Sequence, residues 1–160
     1  DAIEYVRDRP TPRLAAIDLA DLVDEVGVAL QEQGEDRDPN LLRNWVNEVG
    51  LGQRAHADRD LLYRVFVNLG RNAFEAGATT VTVRARVDGE RLVVDVADNG
   101  RGVPQELVDD VFRPFVTGGR AGGAGLGLAI ARDLVCAHGG DIAVAETGDK
   151  GTTFRFDLPR

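Results

Sequence analysis

The sequence predicts an α+β domain, a two-layer α/β sandwich in which a mostly antiparallel mixed sheet is covered on one face by about three helices. Three observations lead there. Residues 79–87 alternate with a period of two, Asp88-Gly89 is a hairpin signal, and residues 91–97 return as the partner strand. Three other segments carry helical spacing of apolar residues with start or stop signals at their ends. The chain then closes on two strand-like runs joined by a glycine turn at Gly148–Gly151. At 160 residues and 43% hydrophobic, one core of this kind can be filled.

Taken in order, residues 1–17 read as a linker following an upstream helix, because Pro10 and Pro12 fall in a charged stretch. The domain is expected over residues 18–160. Asp18 is placed to cap a helix over 19–31 whose apolar stripe is Leu19, Leu22, Val23 and Val26. Residues 34–40 read as loop, 41–49 as a strand holding the only tryptophan, Trp45, and a shorter strand runs into His56. Asp58 opens the next helix, which reaches about Ala76. After the hairpin, a short helix is expected beyond Pro104. A glycine-rich loop, 118–123, feeds a helix from about Gly125 that stops at His138-Gly139-Gly140. The closing strands are 141–146 and 152–158. No internal repeat is visible.

Composition narrows the chemistry. Acidic residues outnumber basic ones 27 to 19, giving a net charge of −8, which argues against a nucleic-acid duplex as partner. A nucleotide is still open, because backbone N–H groups and a cation can meet its charge locally. A single cysteine, Cys136, excludes an intrachain disulfide scaffold. No apolar run approaches a membrane span and the first residues lack a signal peptide's pattern, so a cytoplasmic module is expected, compatible with a membrane-anchored parent. Eighteen of the basic residues are arginine and only Lys150 is lysine, so neither a phosphate-binding P-loop nor a eukaryotic-type protein kinase can be assembled.

Three features carry possible chemistry. Asn68 and Asn72 lie four apart on one helix, hence about 6 Å apart on one face, where neutral amide oxygens can ligate Mg²⁺ beside phosphates. Read alone, they are equally a pair of helix-surface asparagines. Asp98 continues the apolar parity of Leu92, Val94 and Val96, so its carboxylate is aimed at the apolar side and needs a donor there. The exocyclic amine of adenine would serve, and Gly100 and Gly102 would let the backbone approach a flat ring; a turn in which Asp98 caps the next segment is the alternative. Lastly, Gly123-Ala124-Gly125-Leu126-Gly127-Leu128 runs into a helix whose N–H groups and dipole suit phosphate, although a surface loop would look the same. Leu128 stands where a dinucleotide fingerprint needs its third glycine.

The order of these segments is more specific than any one of them. Asn68 with Asn72, then Asp98-Asn99-Gly100-Arg101-Gly102, then Phe112-Arg113-Pro114-Phe115, then the glycine run, then Gly151-Thr152-Thr153-Phe154 resembles the catalytic, ATP-binding domain of bacterial sensor histidine kinases over about residues 18–159. That domain shares a superfamily and its Bergerat-type fold with gyrase B, heat-shock chaperones and mismatch-repair ATPases.

The resemblance implies ATP and Mg²⁺ as ligands. It assigns Asp98 to the adenine amine, with Thr152 helping through a water, and Asn72 to Mg²⁺ with Asn68 in support. Gly123, Gly125 and Gly127, with Leu126 and Leu128, would wrap the phosphates, and Phe112 and Phe115 would anchor the base of a lid. Glutamate stands at the Asn68 position in superfamily members that hydrolyse ATP or phosphorylate serine, so the resemblance implies slow hydrolysis and transfer to a histidine instead. The family's acceptor histidine is followed by an acidic residue; neither His56 nor His138 is, and capping accounts for His138 at a helix end. The acceptor is therefore expected upstream, in a dimerisation domain whose tail is residues 1–9, with a response-regulator receiver as second partner. The full-length protein would be a homodimer and the isolated domain a monomer.

Three departures from the family stand out. Glu75 replaces a basic or amide residue, Arg120 is the nearest substitute for a lid lysine, and the lid, 116–122, is short. They keep open a degenerate nucleotide-binding or docking module without kinase activity.

Overall fold

The computed structural model describes residues 10–32, 43–114 and 126–160. Strand β1 (Ala15–Asp18) pairs antiparallel with β3 (Arg54–Ala57) in a two-stranded ribbon. The other strands, β2 (Asn44–Asn47), β4 (Thr80–Asp88), β5 (Arg91–Asp98), β6 (Ile142–Gly148) and β7 (Gly151–Pro159), form a sheet in the order β2-β4-β5-β7-β6. Only β2 runs parallel to its neighbour, so the sheet is mixed and mostly antiparallel, as expected. The helices are α1 (Leu19–Glu32), α2 (Arg59–Glu75) and α3 (Gly127–Ala137), with a 3₁₀ turn at Gln105–Leu107. No helix among the described residues is long and apolar enough to cross a membrane.

The boundaries differ from expectation in three places. Strand β1 begins inside the stretch read as linker, and Arg13 N–H already donates to Asp58 Oδ2 at 2.9 Å. Among the described residues the second strand covers Asn44–Asn47, which pair in register with Thr80–Val83, and ends with Glu48 N–H donating to Val83 O at 2.9 Å; residues 41–42 lie outside the described residues. Helix α3 starts at Gly127, two residues after the expected start.

Alternation fixes which face is covered. Val81, Val83, Leu92, Val94, Val96, Phe154, Phe156 and Leu158 are buried beneath the helices, and Phe66 of α2 meets Phe156 edge-on with ring centroids 5.6 Å apart. The opposite face carries charge: Arg155 binds Asp95 through two nitrogens at 2.7 and 3.0 Å, and Arg91 pairs with Asp157 at 2.9 Å. Arg84 also pairs with Glu48 of the chain segment after β2.

Two helix-interior glycines make the α1–α2 seam. Trp45 inserts there and donates its indole N–H to Val23 O at 2.8 Å. A Cβ on Gly27 would lie 2.3 Å from Trp45 Cδ1, and one on Gly70 would lie 2.4 Å from Leu30 Cδ1 and 2.9 Å from Trp45 Cζ3. Helix propensity alone would favour alanine at both positions. Packing overrides it.

Asp58 joins three segments. Its Oδ1 caps α2 by accepting from Leu61 N–H at 3.2 Å, and its own N–H donates to Nε2 of His138 at 3.0 Å. His138 is more than a helix cap: it is buried, and since Nε2 accepts, Nδ1 carries the proton and donates to Leu134 O at 2.7 Å. The end of α3 is thereby fastened to the start of α2.

Two outcomes are expected. Gly27→Ala should destabilise the domain by about 1–3 kcal/mol in urea unfolding, reversing the roughly 1 kcal/mol gain that propensity alone would bring. The Arg13 N–H, with other backbone donors and His138 nearby, holds the Asp58 carboxyl below its ordinary range, against the raising effect of burial. A depressed carboxyl stabilises the fold above its unfolded value, about pH 4, and that contribution is lost as pH falls through the folded value. Asp58→Asn should therefore keep the cap and flatten part of the acid loss, whereas Asp58→Ala should cost about 1 kcal/mol at neutral pH.

Candidate functional site

The candidate residues fall in two groups: Asn68 and Asn72 of α2 beside the start of α3, and Asp98 at the end of β5 with Thr147 and Thr152 of the β6–β7 hairpin. Asn68 and Asn72 are half-buried on α2, and Arg64 and Arg71, one turn to either side of Asn68 on the same part of the helix, are exposed. Asn68 Oδ1 lies 3.6 Å from where a Cβ on Gly127 would be, so this amide faces the first residue of α3. That helix opens at Leu126 with no side-chain cap hydrogen bond. Leu126 is half-buried, while Leu128 sits in the core, 5% exposed, packing the first turn of α3. Glu75 is exposed at the end of α2.

Asp98 ends β5, between Val81 of β4 and Thr152 of β7 in the ladder. Its carboxylate is half-buried, continuing the buried row of Leu92, Val94 and Val96 as the parity required. Oδ1 accepts from Gly100 N–H at 2.8 Å and from Thr152 N–H at 3.3 Å. The first of these is the turn-capping role weighed as an alternative; it holds the acid in place without closing the space beside it. Asp98 lines a cleft of about 730 Å³ together with Gln105, Val108, Val144, Thr147 and Thr152. That volume is in the range of small-molecule sites.

The two box glycines serve the protein's own backbone. Gly102 has φ +79°, and a Cβ there would strike Gly148 O at 2.3 Å. A Cβ on Gly100 would stand 3.1 Å from Ala76 O and from Asp98 Oδ1. Close approach to a ligand ring is thus not needed to explain either residue.

Thr147 was not singled out from the sequence. Its hydroxyl accepts from Val103 N–H at 2.7 Å and shares a hydrogen bond with the Thr152 hydroxyl at 2.9 Å. The signal was latent in the hairpin: a register that places Gly148 opposite Gly151 sets Thr147 opposite Thr152. Thr152 itself is 5% exposed. Phe112 packs edge-on against Phe154, centroids 5.9 Å apart, with the Arg132 guanidinium 5.9 Å over its ring. Phe115, Arg120, Gly123 and Gly125 lie outside the described residues.

A second cleft, about 570 Å³, opens at another part of the surface and is lined by Leu51, His56, Val87 and Arg160 among others. It contains none of the residues that the motifs brought forward except His56.

Residues 57–160 match the profile of the family described as histidine kinase-, DNA gyrase B- and HSP90-like ATPase. The chain is 36% identical over 149 residues to the alginate biosynthesis sensor protein KinB of Pseudomonas aeruginosa, covering 91% of this chain and 24% of KinB. It is 34% identical to the sensor histidine kinase ZraS of Salmonella typhi, again over 91% of this chain and 31% of ZraS. The chain therefore spans 24% and 31% of these relatives' length. Among solved structures, the catalytic domain of histidine kinase ThkA superposes with TM-score 0.77 at 29% identity, covering 92% of this chain and 95% of that one. Full-length ShkA in complex with AMPPNP superposes with TM-score 0.80 at 28% identity, covering 99% and 34%.

Replacing Thr147 with valine leaves Val103 N–H without its acceptor inside the fold. Thr147→Val is expected to cost about 1–3 kcal/mol in urea unfolding, and Thr147→Ser, which keeps the hydroxyl, less than half as much.

Proposed function

Because the chain belongs to the histidine kinase-, DNA gyrase B- and HSP90-like ATPase family, we propose that it binds Mg²⁺–ATP and donates the γ-phosphoryl group to a histidine. That histidine belongs to a separate dimerisation domain of a two-component sensor kinase, which in turn serves a response regulator. The observation that carries the reading is Asp98, an acid held by backbone N–H groups at the edge of a cleft of about 730 Å³. ATP analogue binding in ShkA, and the complex of ThkA with the response regulator TrrA, support the ligand and the partner by similarity.

Asp98 accepts a hydrogen bond from the exocyclic amine of adenine, and Thr152 adds its hydroxyl. Val108 and Val144 on the cleft wall offer apolar surface for the ring. Asn68, Asn72 and the start of α3, which lies beside Asn68, receive the phosphates.

The donor set suits Mg²⁺: two half-buried neutral amides one helical turn apart, and no group of three or more His, Cys, Asp or Glu among the described residues. Such an ion takes most of its shell from phosphate oxygens and water, with few protein ligands. When bound, Mg²⁺ supplies charge neutralisation on the phosphate oxygens. Glu75, being exposed, faces solvent and adds little repulsion there.

Asn68 has no carboxylate with which to deprotonate water, so the chain's part in transfer is positioning rather than base catalysis. Hydrolysis by the isolated domain is slow, and the phosphoryl group is kept for the incoming imidazole.

The deciding experiment mixes the domain with the parent's dimerisation domain and follows label from the γ-phosphate of ATP. Labelled histidine bears the proposal out; nucleotide binding without transfer would identify the degenerate docking module instead. Asp98→Asn retains an oxygen for the two backbone donors but loses the charge. It should weaken ATP binding about 10- to 100-fold by calorimetry with the unfolding midpoint little changed. Asn72→Ala should weaken binding more with Mg²⁺ present than with the metal chelated; equal losses would remove Asn72 from the metal site.

A further inference from the structure

We infer that Asn99 is a positioning residue for base recognition, holding Asp98 at a fixed offset from the Asn72 end of the site; this rests on the nucleotide reading above. Asn99 is exposed, yet both ends of its amide are used. Oδ1 accepts from Thr79 N–H at 2.8 Å and Thr80 N–H at 3.0 Å, and Nδ2 donates to Thr79 Oγ1 at 2.9 Å. These partners are about twenty positions away in the chain, so this is not the local self-bonding by which asparagine ordinarily serves a turn.

The backbone adds to the clamp. Asn99 N–H donates to Thr80 O at 3.3 Å and Arg101 N–H to Ala76 O at 3.4 Å. Val81 opposite Asp98 is the last pair of the β4–β5 ladder, and beyond it the Asn99 side chain supplies the acceptor that a further strand residue would have supplied. What it grips is the segment 76–80, which joins α2 to β4. Ala76 closes α2 by donating to Asn72 O at 3.0 Å. The sequence of links therefore runs from Asn72 through Ala76 and Thr79 to Asn99, and the next residue back is Asp98.

The consequence is specific. A carboxylate reads an amine only within a narrow range of distance and angle, so a shift of Asp98 weakens the adenine contact while leaving ring stacking and phosphate contacts in place. Asn99→Ala releases three hydrogen bonds and frees that shift. It touches neither the base nor the phosphates, so its effect should appear only in ligands that carry the amine.

The test compares ADP with IDP, which lacks the exocyclic amine, by calorimetry on this chain and on Asn99→Ala. The unaltered chain should prefer ADP by about tenfold or more. Asn99→Ala should cut that preference to about threefold or less, mainly by weakening ADP. A general loss of stability would lower both affinities alike and leave the ratio unchanged, and an unchanged ratio overturns the inference. Should Asn99→Ala fail to fold, Asn99→Ser, which keeps one acceptor, is read by the same ratio. If the unaltered chain itself shows no preference for ADP, the fault lies with the assigned role of Asp98 and not with Asn99.

Discussion

The Asp98 carboxylate is the constraint around which the rest is arranged. An acid at the end of a central strand, continuing a buried apolar row, is costly unless donors meet it. Gly100 and Thr152 supply two, from the turn after β5 and from β7. Those bonds fix where the oxygen points, and the strands on both sides of β5 fix where the strand ends. The helices cover the apolar face, and the cleft beside the acid lies between the 3₁₀ turn after β5 and the β6–β7 hairpin.

That arrangement depends on contacts remote from the cleft. Trp45 spaces α1 from α2 because Gly27 and Gly70 have no side chain to exclude it. His138 ties the end of α3 to the N-terminus of α2 through Asp58. Since α2 carries the two asparagines and α3 begins beside Asn68, these two fastenings set where both asparagines sit relative to the start of α3. The hydroxyl pair Thr147–Thr152 and the glycine at 102 set the other end by bringing the β6–β7 hairpin against the loop after β5.

Much of this was legible before any coordinates. Residues 79–87 alternate, and the row Leu92, Val94, Val96 sets the parity that Asp98 continues; Asp18 is readable as a cap before an apolar helix, and Asp21 N–H donates to its Oδ1 at 3.1 Å. What stayed hidden depends on partners distant in sequence. Ala15–Asp18 has no alternation of its own and becomes a strand only because Arg54–Ala57 lies alongside. Thr147 looks like any strand threonine until the hairpin register sets it opposite Thr152. The glycines at 100 and 102 are visible in the sequence, but that a Cβ there would meet Ala76 O and Gly148 O is not.

The most direct measurement is a crystal structure of this chain grown with Mg²⁺ and a non-hydrolysable ATP analogue. The adenine amine should lie about 2.7–3.2 Å from an Asp98 carboxylate oxygen, with the triphosphate running toward Asn72 and the start of α3. A base seated elsewhere, with Asp98 bonded only to Gly100, Thr152 and other groups of the chain, would contradict the account.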